Sequence, residues 1–343
     1  MEKIFFSFLI CFISTIIIYI IAKKTSLFKY FPNQIHKERF KNNILIVGGP
    51  IIFVNIVFLF FLKILKFDNN FLIFFTSIFV IGLGSDLFNL SAKLRLFLIF
   101  LISFFLLIYV KIYVWDFQFN ILNDFIKDNY LAGVIFSAFC LATFINGMNF
   151  IDGSHGLVII FNLLVILFLN FFLENVLKVE INALDLINYL IPILLILLYL
   201  NISERVFLGD SGSYIIAAMI GYFVLTLSQN KITSYPYVYA NLLIYPAFEV
   251  LFSIFRKIIS KKNPLNPDRN HLHQILERIL KKKYYLNHSK SKIYTSLIIN
   301  FFVFIFFTNT IVFYNQKWIL ICSIFILCIT YILMYYKLSK IKI

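Results

Sequence analysis

The stretch F-L-G-D-S-G-S-Y-I-I-A-A-M-I-G-Y-F-V-L-T-L-S-Q, residues 207–229, decides the fold. Its polar head sets Asp210 among Gly209, Ser211, Gly212 and Ser213, and runs straight into an apolar segment near the length that crosses the hydrocarbon core of a bilayer. Two more stretches have this form at the mouth of an apolar span: S-D-L-F-N-L-S-A-K at 85–93 and N-G-M-N-F-I-D-G-S-H-G-L at 146–157. A fourth polar patch, N-P-D-R-N-H-L-H, occupies 266–273. The 343-residue chain around them is 61% hydrophobic, 19% aromatic and 14% charged, which excludes a soluble globular domain.

The apolar runs predict about 11 transmembrane helices, near 4–22, 45–64, 70–84, 94–113, 131–147, 156–173, 186–200, 213–229, 236–255, 293–313 and 318–336. Every second loop is basic: Lys23, Lys24, Lys29, Lys37, Arg39 and Lys41 in the first, Lys93 and Arg95 in the third, and Arg256 through Lys283 in the ninth. The alternate loops are short or carry acids such as Asp116, Asp124, Asp128, Glu174 and Glu180. Positive charge marks the cytoplasmic side, so the N-terminus is expected in the periplasm and the C-terminus in the cytoplasm. The net charge of +15 follows from this asymmetry and from attraction to anionic lipid, and calls for no nucleic-acid partner. The first span is expected to stay as an uncleaved helix, because its basic cluster follows the apolar run. Cys11, Cys140, Cys322 and Cys328 lie inside spans at no metal or redox spacing. The expected fold is therefore an all-α polytopic integral membrane protein. It forms one membrane domain over 1–343, with a basic cytoplasmic loop at 257–292 that carries the histidines.

On this topology Asp86, Asp152 and Asp210 reach one membrane face together with His271 and His273. Carboxylates sharing a volume repel unless a cation sits among them, and oxygen ligands suit Mg²⁺ or Mn²⁺ rather than zinc. Gly209, Gly212 and the neighbouring serines precede a helix, where free amides and the helix dipole favour an anion. Gly48-Gly49-Pro50 allows close backbone approach, and Lys93, Arg95, Arg256 and Arg269 offer cationic contacts to phosphate or lipid headgroups. Taken singly, each piece has a plainer reading: an N-cap, a kink, a loop histidine. Their convergence points to a diphosphate and to phosphoryl transfer.

Asn146, Asn149 and Asp152 in N-G-M-N-F-I-D-G, Asp210 in F-L-G-D-S-G-S and the H-L-H of 271–273 resemble the signatures of the polyprenyl-phosphate N-acetylaminosugar-1-phosphate transferases. The resemblance runs from about residue 30 to 275. It implies transfer of a sugar-1-phosphate from a UDP-linked N-acetylamino sugar to undecaprenyl phosphate, with release of UMP and with Mg²⁺ required. This is a step that starts O-antigen-like polysaccharide or lipid-linked glycan assembly at the bacterial inner membrane. By the same resemblance Asp210 and Asp152 are metal ligands, Asn146 and Asn149 line the nucleotide and metal site, and His271 and His273 help to bind the nucleotide sugar. The resemblance also implies that Lys93 faces phosphate and makes a homodimer plausible, while Arg269, Gly48 and Gly49 are candidates for the substrate site and Asp86 for catalysis.

Two departures stand out. Ser85-Asp86 replaces the paired aspartates of the family, and His155 replaces the second acid of D-G-x-D-G-L. A protonated His155 could add to phosphate binding. Two other classes compete with the enzyme: an inactive scaffold of the same fold, supported by these losses, and a secondary transporter. The transporter should carry its acids near the midplane rather than at one interface. Glu249, roughly two helical turns inside its span, is expected either to pair with Arg256 or to join the site.

Overall fold

A computed structural model describes residues 2–25, 28, 44–65, 69–179, 188–232, 235–264, 266 and 268–341. Lys29, Lys37, Arg39, Lys41 and Glu180, used above for orientation, lie outside the described residues. The helices in chain order are α1 Glu2–Lys24, α2 Gly48–Phe61, α3 Asn69–Phe88, α4 Ala92–Val110, α5 Asn120–Asp128 and α6 Tyr130–Ile151. They continue as α7 Leu157–Phe171, α8 Leu190–Ile202, α9 Gly209–Gln229, α10 Tyr237–Ile259, α11 Leu272–Lys283, α12 His288–Val312 and α13 Lys317–Ser339. Each apolar segment expected from the sequence overlaps one of them.

The protein is an all-α, multi-pass membrane protein. Among the described residues 8 helices are long and apolar enough to cross a bilayer: α3, α4, α6, α7 with the π turn Phe172–Val176 that continues it, α9, α10, α12 and α13. The apolar helices α2 and α8 are shorter, with 14 and 13 residues.

Burial grades from the centre outward. In α9 the most apolar window is 83% buried, against 22% in α4 and 28% in α13. The reason is composition: Gly212, Ala217, Ala218 and Gly221 give α9 a smooth surface on which other helices approach closely. α3 and α6 pack on α9, and α10 packs on α6 and α13. The outer helices turn Ile73, Phe105 and Phe301 outward, as lipid contact demands.

Several helices outrun their apolar runs. α3 extends to Phe88, α6 to Ile151 and α10 to Ile259, so Ser85, Asp86 and Asn149 sit on helical turns rather than in loops. Hydropathy measures the thickness of the hydrocarbon layer, whereas a helix ends where its backbone is capped. Two amphipathic helices were not foreseen. α5 turns Ile121, Leu122 and Phe125 outward, and α11 lies within the expected 257–292 loop, which α12 also shortens by starting at His288.

The one sheet among the described residues is a two-residue parallel pair, β1 Leu45–Ile46 with β2 Val206–Phe207. It ties the start of α2 to the start of α9. Asn201 braces this corner: its amide donates to the Val206 carbonyl at 3.0 Å, and its side-chain oxygen accepts from Gly156 N at 2.7 Å.

Candidate active site

The start of α9 is the anchor. Gly209 has φ +71°, and a Cβ there would fall 2.7 Å from Asp86 Oδ2, so the turn into the helix requires glycine. Leu208, the residue before the helix, provides no side-chain cap. Asp86 does so from α3: it accepts Asp210 N at 2.8 Å, Ser211 N at 3.0 Å and Ser211 Oγ at 2.6 Å. A carboxylate at a helix N-terminus satisfies orphan amides and the dipole. Asp86, a catalytic candidate in the sequence, is thus engaged in holding the start of α9.

Asp210 points to the other side of the same turn. Its carboxylate forms an ion pair with Arg95 of α4 and accepts the Ser85 hydroxyl, and Arg95 donates to Ser85 Oγ at 3.1 Å. Lys93, two residues earlier and past the Ser91 cap of α4, is exposed. One turn beyond Asp210, the buried Tyr214 hydroxyl accepts Asn149 Nδ2 at 3.1 Å, joining α9 to α6. Asn146, a turn earlier on α6, donates to the Ala142 carbonyl at 2.8 Å, and Asp152 ends that helix as its C-cap. The sequence expectation that distant patches meet at one end of the bundle is met for Asp86, Asn149 and Asp210. Among the described residues no three His, Cys, Asp or Glu side chains gather as a metal cage.

The histidine motif closes against α6. A Cβ on Gly153 would collide with the His273 ring, which is fully buried and makes no hydrogen bond from either nitrogen among the described residues. Burial, with Arg278, His271 and Lys292 adding positive charge nearby, pushes His273 down to about 3. His271 stacks on His273 at 5.7 Å, meets the edge of Phe150 at 5.2 Å and pairs through Nδ1 with Glu249 Oε1 at 3.0 Å. Glu249 therefore joins the histidine motif and not Arg256, which binds Asp268 at 2.7 Å. Burial pushes Asp268 up, but the Arg256 contact outweighs it and holds the acid below the usual carboxylate range. Arg269 is exposed, and its carbonyl accepts Arg278 at 2.6 Å.

Gly48 and Gly49 serve packing in the structure. A Cβ on Gly48 would lie 2.6 Å from Leu208 Cα, one on Gly49 would collide with Ser211, and Gly49 N donates to Leu208 O at 3.2 Å. His155 also departs from expectation. It is 2% exposed, stacked on Phe207 at 5.9 Å, with Nε2 3.5 Å from Glu204 Oε1. Burial pushes its imidazole down to about 3, and Lys292 and His288 act in the same direction, which disfavours the protonated form.

Part of the chain is similar to known proteins. The sequence profile of Glycosyl transferase family 4 matches residues 69–228, the stretch from α3 through α9 that contains Ser85, Asp86, Lys93, Asn146, Asn149, Asp152 and Asp210. Over this stretch the chain is similar to glycosyl transferase family 4. An undecaprenyl-phosphate alpha-N-acetylglucosaminyl 1-phosphate transferase of Thermotoga maritima is 26% identical over 80% of this chain and 81% of its own length. A protein of the same name from Escherichia coli is 24% identical over 74% of each chain. A decaprenyl-phosphate N-acetylglucosaminephosphotransferase of Mycolicibacterium smegmatis is 28% identical over 43% of this chain and 41% of its own.

The residues that sequence reasoning missed are partners of those it found. Tyr214, Glu204 and Tyr331 contact Asn149, His155 and Glu249 across large sequence separations, and Asp268 lies 3.6 Å from His271 Nε2. Asp268 was within reach, since it stands inside the N-P-D-R-N-H-L-H patch.

Proposed function

We propose that this protein transfers an N-acetylamino-sugar-1-phosphate from a UDP-sugar to undecaprenyl phosphate, releasing UMP and starting a surface polysaccharide or lipid-linked glycan. The carrying observation is the start of α9, where Asp86 fixes the backbone and Asp210 is held between Arg95 and Ser85. The names of its relatives support the acceptor and the amino sugar.

The reaction asks little of a base. A phosphate monoester, with a second pKa near 6, is largely dianionic at neutral pH. One of its oxygens attacks the sugar-bearing phosphorus, the phosphorus–oxygen bond to UMP breaks, and UMP leaves as the sugar is joined to a lipid diphosphate. Asp86 need not act as that base, which fits its engagement with α9. Arg95 is poised to meet phosphate oxygens when Asp210 takes another partner. The motif histidines and Asn149 border the same end of α6 and suit the nucleotide sugar.

The donor set suits magnesium, or manganese, in one particular way. Two aspartates, Asp210 and Asp152, with oxygen-only chemistry, fit an ion that completes its shell with diphosphate and water rather than one caged by protein alone. When bound, it would neutralise charge on the diphosphate. The basic residues Lys93, Arg95, Arg256, Lys257, Arg269 and Lys281 to Lys283 share the site end of the bundle, which supports a cytoplasmic site in a bacterial inner membrane with the N-terminus outside, the C-terminus inside and about 11 spans.

The test is UMP release by purified protein in detergent with undecaprenyl phosphate, Mg²⁺ and a panel of UDP-N-acetylamino sugars. Lipid-dependent, EDTA-sensitive release is the expected result. Absence of release with every donor, from folded protein, would overturn the reading.

A further inference from the structure

Three helices meet in one buried chain of hydrogen bonds behind the histidine motif. The Tyr331 hydroxyl of α13 donates to Glu249 Oε2 of α10 at 2.6 Å, and Glu249 Oε1 lies 3.0 Å from His271 Nδ1, the residue that begins α11. Tyr331 is 0% exposed and Glu249 1%, so this acid has no water to solvate it and its two oxygens are matched to two partners. Arg256, the helical neighbour that could have neutralised it, is drawn off to Asp268.

We propose that Glu249, backed by Tyr331, is the positioning residue that sets the orientation and proton placement of His271 for the nucleotide sugar. The inference rests on the transferase reading above and deepens it. A carboxylate only accepts, so the hydrogen of His271 in this contact is on Nδ1. Nε2 then faces away from Glu249, on the side where Asp268 Oδ1 lies at 3.6 Å. A histidine that works through one nitrogen needs the other held, as second partners hold the rings of metal-bound histidines. Tyr331 in turn removes the freedom of Glu249 to rotate and present its other oxygen.

The rest of the loop is fixed from the same helix. Lys257 Nζ donates to the carbonyls of Pro264 at 3.2 Å and Asn266 at 2.7 Å, and Arg256 holds Asp268. These contacts tie Pro264, Asn266 and Asp268 to the end of α10, while Glu249 makes the hydrogen bond to His271 Nδ1. The division of labour is testable: Arg256 and Lys257 shape the loop, while Glu249 acts on one imidazole. Glu249, His271 and Tyr331 all lie beyond residues 69–228, outside the segment matched by the family profile.

The experiment compares wild type, Glu249→Gln, Tyr331→Phe, His271→Ala and the double variant Glu249→Gln/His271→Ala. UMP release gives KM for the UDP-sugar and kcat, titration calorimetry with UDP gives nucleotide affinity, and thermal unfolding in detergent reports folding. Expected is a rise in KM of about tenfold for Glu249→Gln and about threefold for Tyr331→Phe, the ranges for a charged and a neutral hydrogen bond, with kcat little changed. UDP affinity falls in parallel. In the His271→Ala background Glu249→Gln adds nothing further, since the residue acts through that ring.

An unchanged KM in either single variant, or an undiminished effect of Glu249→Gln without His271, would overturn the proposal. Should Glu249→Gln fail to fold, Tyr331→Phe alone and combined with His271→Ala gives the same comparison. If wild type releases no UMP, the transferase reading fails, and UDP binding across the variants then decides the relay by itself.

Discussion

Arg95 and Asp210 form an ion pair between α4 and α9, and Ser85 completes it by donating to the carboxylate and accepting from the guanidinium. The carboxylate at the proposed metal position is thus balanced by a residue that is itself suited to phosphate. A cation and a diphosphate arriving together can exchange with this pair, the ion meeting Asp210 and the phosphate meeting Arg95. Asp210→Asn is expected to cut UMP release by about a hundredfold or more, in the range seen when a group that stabilises transition-state charge is removed. Both partners are partly exposed, so the unfolding temperature should stay within a few degrees of wild type. Retained turnover would remove Asp210 from the metal assignment.

Asp86 answers to a different measurement. It supplies acceptors to two backbone amides and one hydroxyl at the start of the most buried helix. Asp86→Ala should lower stability by about 2 kcal/mol, the sum expected for a lost cap and charged hydrogen bonds. Asp86→Asn, which keeps one acceptor oxygen, should lose less. Thermal unfolding in detergent reads both, and an unchanged transition in Asp86→Ala would show that α9 does not depend on this cap.

Ser85→Asp tests the first departure from the family pattern. A carboxylate at that position would share Arg95 with Asp210 and leave a net negative charge for a cation to meet. The Mg²⁺ concentration giving half-maximal UMP release should fall about three- to tenfold, corresponding to roughly 1 kcal/mol of added attraction. No shift in the Mg²⁺ titration would mean that the ion does not sense position 85.

The buried histidines give a pH dependence of definite sign. His155 and His273 are held neutral, each with its pKa pushed from 6.5 down to about 3. Unfolding lets them protonate near 6.5, so their contribution is fully present above that pH and is lost as pH falls from about 6.5 toward about 3. Each should cost about 1.4 kcal/mol per pH unit across the window. The unfolding temperature should therefore drop between pH 7 and pH 5, and His155→Gln should flatten part of that slope. An equal slope in the variant would place the protonation elsewhere.

Legibility followed the range of the interaction. Apolar runs are local, so the spans were readable; α5 was not, because Asp124 and Asp128 made its amphipathic turns look like a loop. The motif aspartates and histidines could be picked out by their polarity against an apolar background. Their partners could not. From the sequence alone Glu249 had Arg256 two turns along its own helix as a natural counterion, yet the bundle gives it His271 and Tyr331, at separations of 22 and 82 residues. Gly48 and Gly49 likewise read as a turn open to substrate and turned out to be a close contact with Leu208 and Ser211.

By itself the sequence determined that the chain is a helical membrane protein and that its polar residues gather at span ends, because both follow from the cost of exposing backbone and charge to hydrocarbon. Only the tertiary structure decided what each acid does. Asp86 holds a helix start, Asp210 faces Arg95, and Glu249 backs a histidine, because the roles of chemically equal carboxylates are set by the donors that packing brings within 3 Å.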